Sequence, residues 1–279
     1  MKIYIMTDME GVAGIQDSET WCRPPGEPAS GRYYEAGKAL LTEEVNAAVA
    51  GLFEAGAHEI VVADGHGPGG ITPLLLDERV SLLRGWPTGW PLELDETYDA
   101  VAFVGQHAKA CTPYAHLAHT QSFRYVDLSV NGVSIGEFGQ FALCAGELGI
   151  PAILGTGDEA FCHEARSLAP AIVTVPVKRG LTPGTGKDLD APAYAHRNLA
   201  AVHLHPRAAR RLIREGARRA LGQLRANGPQ GLLVRLDPPY ERVARFRGAA
   251  PGEPQTLDRA YHATSVAGVL REPFRPEPI

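Results

Sequence analysis

The chain has 279 residues, 44% hydrophobic and 21% charged, with a formal net charge of −5. That length supports a sizeable core and two domains, and the composition is ordinary for a soluble globular protein. No basic stripe points to nucleic acid, no apolar run approaches a membrane span, and Asp8 and Glu10 interrupt any signal-peptide core, so the expected location is the cytoplasm.

Lys2 to Met6 is a short apolar run without polar alternation, the pattern of a strand buried on both faces. Asp8 and Glu10 come immediately after it, and Gly11 lets the chain turn. The Pro- and Gly-rich stretch 21–32 opposes regular structure. Leu41, Val45, Ala48, Val49 and Leu52 recur at the spacing of one helix face, which predicts a helix over 33–55 with Gly56 just past its end. The apolar run at 60–63 completes a β-α-β unit and delivers Asp64, Gly65 and His66. HGPGG (66–70) matches neither GxGxxG nor a P-loop; it suits close backbone approach to a ligand or a plain flexible loop. Residues 74–94 read as irregular, with short apolar pieces around Val80–Leu83.

A third strand, over 100–104, leads to Gly105, Gln106 and His107. AKACTPYAHLAHTQS (108–122) then carries Lys109, Cys111, His116 and His119. DLSVNGVSIGE (127–137) contains an Asn-Gly turn signal at 131–132 and ends on Glu137, from which a helix runs to about Gly149. PAILGTGD (151–158) predicts a strand with Asp158 capping a helix over 159–168, and IVTVPVK (172–178) predicts another strand. Residues 180–196 are turn-rich. Pro206 opens a helix to about Ala226, with Ala209, Leu212, Ile213, Ala217 and Leu221 on one face and its arginines toward solvent. LLVRL (232–236), ERVARF (241–246) and RAYHATSV (259–266) read as strands. The predicted fold class is α/β: a three-layer α-β-α domain with a mainly parallel sheet over 1–178, and a smaller α+β domain over 179–279.

The chemistry lies just past the strand ends. In open parallel sheets the functional site lies beyond the carboxyl ends of the strands. Asp8, Glu10, His66, His107 and Glu137 could therefore converge on one crevice. Asp8 also reads as a helix N-cap and Glu10 as a surface residue; the recurrence of the pattern at His66 and His107 favours the metal. Three carboxylates and two histidines exceed one closed zinc site. They suit two metals about 3.5–4 Å apart, and the histidines favour zinc over magnesium. His119 is not at a strand end and reads as a general acid or base. Cys111 beside His116 or His119 is a weaker candidate nucleophile, and Lys109 reads as exposed or as a holder of a substrate carboxylate. The four cysteines are widely spaced, form no CxxC, and read as reduced, packed thiols.

MKIYIMTDMEGVAGI, TEEVNAAVAG, VVADGHG, VGQHAKACTP…AHT and NGVSIGEFG occur in this order over residues 1 to about 178. Together they resemble the zinc-dependent D-aminopeptidases of the DppA type. The resemblance implies a dinuclear zinc centre, two Zn²⁺ per subunit, held by Asp8, Glu10, His66, His107 and Glu137, with Asp8 bridging. It implies a catalytic role for His119, with His116 a competitor for that role. It also implies short peptide substrates, D-amino-acid peptides among them, and a homo-oligomer, a decameric ring enclosing the active sites. Against the family pattern the 21–31 loop looks enlarged and 180–196 looks inserted. The alternatives are a dinuclear metallohydrolase of another bond, such as a phosphoester, and a non-catalytic peptide-binding protein.

Overall fold

The computed structural model describes residues 1–26 and 30–279. Residues 27–29, in the middle of the stretch expected as loop, lie outside the described residues. In chain order the elements are β1 (Lys2–Thr7), α1 (Ser18–Trp21), α2 (Tyr34–Glu54), β2 (Glu59–Asp64), β3 (Ser81–Leu83), β4 (Ala100–Gln106), β5 (Tyr125–Val130), β6 (Val133–Ser134), α3 (Glu137–Glu147), β7 (Ala152–Asp158), α4 (Glu159–Leu168), β8 (Val173–Gly180), α5 (Ala191–Ala195), β9 (Ala201–His203), α6 (Pro206–Asn227), β10 (Tyr240–Phe246), β11 (Thr256–His262), α7 (Val266–Arg271) and β12 (Glu277–Pro278).

Seven strands form one sheet in the order β3-β2-β1-β4-β7-β8-β9. All neighbours in it are parallel except β9, which runs antiparallel to β8. The central strands β4 and β7 are buried along their whole length, as their unbroken apolar runs require. Helices cover both faces. Side chains alternate along a strand, so neighbours face opposite layers. On β7, Leu154 and, on β8, Val175 face Gly216 of α6, while Gly155 packs against Phe161 of α4. Phe103 of β4 meets Phe138 and Phe141 of α3 at centroid separations of 4.7 and 5.8 Å. α2 packs beside α6, and α3 beside α4. The predicted stripe of α2 is fully buried, and Gly56 sits past its end at φ +96°, as a helix-terminating glycine does.

The strand order reverses at β1: the chain goes from β1 outward to β2 and β3, then returns to the other side through β4, β7 and β8. This is a topological switch point, where the loops after neighbouring strands diverge and leave a crevice.

The second sheet is antiparallel, in the order β12-β11-β10-β5-β6. Both sheets draw chain from either side of residue 178: β9 and α6 join the large sheet, and β5 and β6 join the small one. Inside the small sheet's side of the molecule the guanidinium of Arg242 is fully buried, paired with Asp258 at 2.8 Å and lying 3.7 Å from the Phe274 ring centre.

Three local expectations are corrected. LLVRL (232–236) is not a strand. Leu232 and Val234 are buried, but the segment passes the start of β7 and is joined to it by one backbone hydrogen bond among the described residues, Ala152 N–H to Leu232 C=O at 2.9 Å. RAYHATSV divides in two, because the Ser265 side chain accepts from Gly268 N–H and starts α7. Leu212 faces solvent, 45% exposed, and the buried face of α6 runs through Ala209, Ile213, Gly216, Ala217, Ala220, Leu221 and Leu224. Among the described residues no helix is long and apolar enough to cross a membrane.

Candidate metal centre

Five of the predicted residues meet in the crevice. Asp8 and Glu10 follow β1, His66 follows β2 and His107 follows β4, three adjacent strands whose ends are level. The crossing between β1 and β4 is very close. Asp8 N–H donates to Val104 C=O at 3.0 Å and Gly11 N–H to Gly105 C=O at 2.8 Å. A side chain at Gly105, where φ is +78°, would lie 2.0 Å from the Asp8 carbonyl oxygen, and one at Gly11 would lie 2.0 Å from that of Gln106. Glycine at both positions is what lets the two ligand-bearing turns interlock.

Glu137 arrives by another route. The hairpin of β5 and β6 belongs to the small sheet, and Glu137 is the first residue of α3. Buried Glu164 of α4 ties this helix start to the segment after β4: its carboxylate accepts from Gly136 N–H at 2.9 Å and from Lys109 N–H at 2.8 Å.

The donors form two groups, Asp8 with Glu10 and His66, and His107 with His119 and Glu137. Asp8 joins them. Its Oδ1 is 3.1 Å from His66 Nδ1 and its Oδ2 is 3.1 Å from His107 Nε2. The remaining short approaches are Glu10 Oε2 to His66 Nδ1 at 3.2 Å and Glu137 Oε1 to His107 Nε2 at 3.4 Å.

Each of the three histidines has its tautomer set by a backbone carbonyl. His66 Nε2–H donates to Cys22 C=O at 2.7 Å, His107 Nδ1–H to Ala108 C=O at 3.0 Å, and His119 Nδ1–H to Leu117 C=O at 2.8 Å. The other ring nitrogen then turns a lone pair toward the carboxylates. Asp8 Oδ2 and Glu10 Oε2 are buried and, among the described residues, receive no aligned hydrogen bond. Lone pairs facing buried, unsatisfied carboxylate oxygens are stable only with positive charge between them. A divalent cation meets that need, and backbone-oriented imidazoles are the usual support of one.

The electrostatics carry the same signature. Burial raises the carboxyl pKa of Asp8, Glu10 and Glu137, yet the neighbouring histidines overcome it: His107 and His66 hold Asp8 well below its ordinary value, His66 lowers Glu10, and His107 brings Glu137 to about 2. Burial lowers His66 and His107, but Glu10 and Asp8 around the first, and Glu137 and Asp8 around the second, raise both well above the ordinary value. The site attracts positive charge strongly. The residues present fit a metal ion.

A family model described as D-aminopeptidase, peptidase family M55, matches residues 1–253. The chain belongs to this D-aminopeptidase family. A D-aminopeptidase of Bacillus subtilis (strain 168) is 32% identical over 204 residues, 71% of each chain. The fold matches the solved structure of the Zn-dependent D-aminopeptidase DppA from Bacillus subtilis, described as a self-compartmentalizing protease, with a TM-score of 0.77 and 24% identity over 96% of this chain and 93% of that one.

In this D-aminopeptidase family member His119 stands at the edge of the donor set. Its ring stacks on His107 with centroids 3.9 Å apart, and its Nε2 is 3.8 Å from Glu137 Oε1. His119 also lines a cleft of about 280 Å³ together with Asp8, Glu10, His66 and Glu137. Burial and the neighbouring His107 lower its pKa. His116 is not brought to the ligands. It is fully buried, 3.0 Å from the carbonyl of Gln16 and edge-on to His203, and burial with nearby Lys178 pushes it down to about 2. Lys109 spends its ammonium on the carbonyl and hydroxyl of Ser134, both at 2.9 Å. The Cys111 thiol accepts from the buried Arg247 guanidinium at 3.2 Å, and burial raises its pKa, which suits a packed thiol and not a nucleophile.

Three supporting residues lie outside the residues that the motifs above single out. Lys178, at the end of β8, donates to the main-chain carbonyl of Glu10. Arg84 donates to the carbonyls of Asp64 and His66 at 2.8 Å and of Gly67 at 2.6 Å, and so holds the loop that carries His66. Glu164 staples the start of α3 to the segment after β4. Lys178 could have been found by a rule close to the one that picked the ligands, since it is a charged residue near the carboxyl end of the largely buried strand β8. Arg84 and Glu164 lie in a loop and in a helix, with no local signal.

Proposed function

We propose that this chain is a dinuclear zinc aminopeptidase that removes N-terminal residues, D-residues in particular, from short peptides. The observation that carries this is the set of three imidazoles, each fixed by a backbone carbonyl, facing the carboxylates that Asp8 shares between two donor groups. One zinc would be held by Asp8, Glu10 and His66, the other by Asp8, His107 and Glu137. Zinc, when bound, lowers the pKa of water to about 7 and polarises a carbonyl as a Lewis acid.

The chain supplies the rest. Asp8, Glu10 and Glu137 stay ionised and set the charge of the site. Gln121 N–H donates to Glu137 Oε1 at 2.7 Å and keeps that carboxylate turned inward. His119 is assigned the proton: its Nδ1–H is committed to Leu117, so Nε2 is the atom that takes a proton and returns it to the leaving amine. Unlike His107, it reaches the cleft. Self-association, as in the self-compartmentalizing relative, belongs to the same reading, with a decamer as the implied size, and so does a cytoplasmic setting for the four free cysteines.

The test is turnover of paired D- and L-alanyl p-nitroanilides by zinc-loaded and chelated protein, with an aryl phosphate as control. Zinc-dependent cleavage of the D substrate is expected. Cleavage of the L substrate alone would overturn the stereochemistry, and cleavage of the phosphate alone would overturn the bond class.

A further inference from the structure

The donor set lies between two different spaces. On one side is the cleft of about 280 Å³ that His119 lines, which also includes Ser18, Arg23 and Phe123. It continues into a second cavity of about 360 Å³ that shares those three residues. On the other side is a smaller pocket of about 190 Å³. Met6, Trp86, Trp90, Leu92 and Phe141 line it, and so do the candidate ligands Asp8 and Glu137.

An aminopeptidase cuts after one residue. It needs room for a single side chain on one side of the scissile carbonyl and an extended path for the remaining peptide on the other. The long, continuous cleft suits the peptide, and the smaller pocket, with Met6, Trp86, Trp90, Leu92 and Phe141 in its wall beside the polar Thr7, Gln106 and Gln121, suits the single side chain. We propose that the pocket of Trp86, Trp90 and Leu92 takes the side chain of the substrate's N-terminal residue and selects a large apolar or aromatic one. The inference rests on the aminopeptidase function proposed for this site and adds the substrate class to it.

Size supports the choice. A cavity of about 150 Å³ lined by apolar side chains accepts benzene, so about 190 Å³ accommodates a benzyl group, whereas a methyl group leaves most of it unfilled. Two indole rings supply aromatic contact area. The wall is also fixed in place. Leu92 has φ +60° and is held there by its own N–H to Gly89 C=O at 2.7 Å and by the Tyr4 hydroxyl donating to its carbonyl at 2.7 Å. Tyr4 is itself fully buried in β1. Leu92, one wall of the pocket, is therefore anchored to β1.

The experiment compares kcat/KM for phenylalanyl and alanyl p-nitroanilides, in whichever stereochemical series the zinc-loaded enzyme cleaves. The expected preference for phenylalanyl is at least about tenfold, the lower end for even one methylene in an apolar pocket. Leu92→Trp, which fills the pocket, and Trp90→Ala, which removes a wall, should each lower that ratio, because the alanyl side chain does not reach these residues. General destabilisation would lower both rates together and leave the ratio unmoved. A wild-type ratio below tenfold, or an unchanged ratio in a folded variant, overturns the inference while leaving the aminopeptidase function intact. If neither variant folds, the wild-type ratio decides alone. No turnover of either substrate by protein carrying two zincs removes the aminopeptidase function and this inference with it.

Discussion

Lys178 donates its ammonium proton to the main-chain carbonyl of Glu10, joining the end of β8 to the turn after β1. The lysine is 4% exposed, and burial lowers its pKa to about 8 even with Asp158, Glu10 and Glu44 nearby. A buried ammonium is costly, and this one fixes the backbone that aims the Glu10 carboxylate. Lys178→Met should weaken zinc affinity by about 10- to 100-fold, the usual effect of losing a group that orients a ligand. Competition with a chromogenic chelator reads it directly. Wild-type affinity in a folded Lys178→Met protein would reduce the contact to a packing role.

His119 and His107 stack on each other but are assigned different work. His119→Ala should lower kcat by about 10²- to 10⁴-fold with two zincs retained per chain. His107→Ala should lose metal as well as activity. Zinc counted by mass spectrometry beside kcat separates the two; loss of a zinc in His119→Ala would make His119 a ligand.

Chelation should abolish turnover and lower Tm, because metals at the proposed site would bind the folded chain alone and their removal would leave like-charged carboxylates buried together. Calorimetry with and without chelator, and again after zinc addition, measures the drop and its recovery. An unchanged Tm would mean that the site does not couple to folding.

Glu44 is buried beside α6, accepts from Ala13 N–H at 3.0 Å, and has its second oxygen unsatisfied among the described residues. Burial raises its pKa from 4.5 to about 7. The folded state thus holds the proton more tightly than the unfolded one, and the stability this provides is complete below pH 4.5 and lost as pH rises through about 7. Glu44→Gln keeps the acceptor and removes the charge. The variant's Tm relative to wild type should therefore be more favourable at pH 8 than at pH 4.5. A pH-independent difference would refute the assignment.

Gly105 offers a backbone test. Its φ of +78° alone makes alanine cost about 1–3 kcal/mol, and the added Cβ would strike the Asp8 carbonyl oxygen. Gly105→Ala should lower the denaturation midpoint and lose zinc, since the collision displaces Asp8. A variant with full zinc and normal stability would show that the turn has slack.

Much of the molecule was legible in residue order. Buried parallel strands announce themselves as unbroken apolar runs, and the stripe on α2 has a period that no strand can share. The strand-end rule then collected Asp8, Glu10, His66 and His107, because carboxylates and imidazoles just past such runs are costly without a cation. The motifs that carry the family resemblance sit on those same turns.

Long-range placement was not legible in the same way. Residue order cannot tell which sheet a hairpin joins, and β5 and β6 left their sequence neighbours for the small sheet. LLVRL has strand composition but, among the described residues, joins neither sheet. Leu212 keeps helical spacing yet misses the face that meets the large sheet. The His66 tautomer, the stapling by Glu164 and the pocket of Trp86 and Trp90 all depend on contacts between residues distant in the chain. The chain's local chemistry therefore specified the strands and the donor residues that follow them. Their arrangement around a shared crevice arose from burial of the two helical layers, a cooperative property of the folded whole that no local stretch encodes.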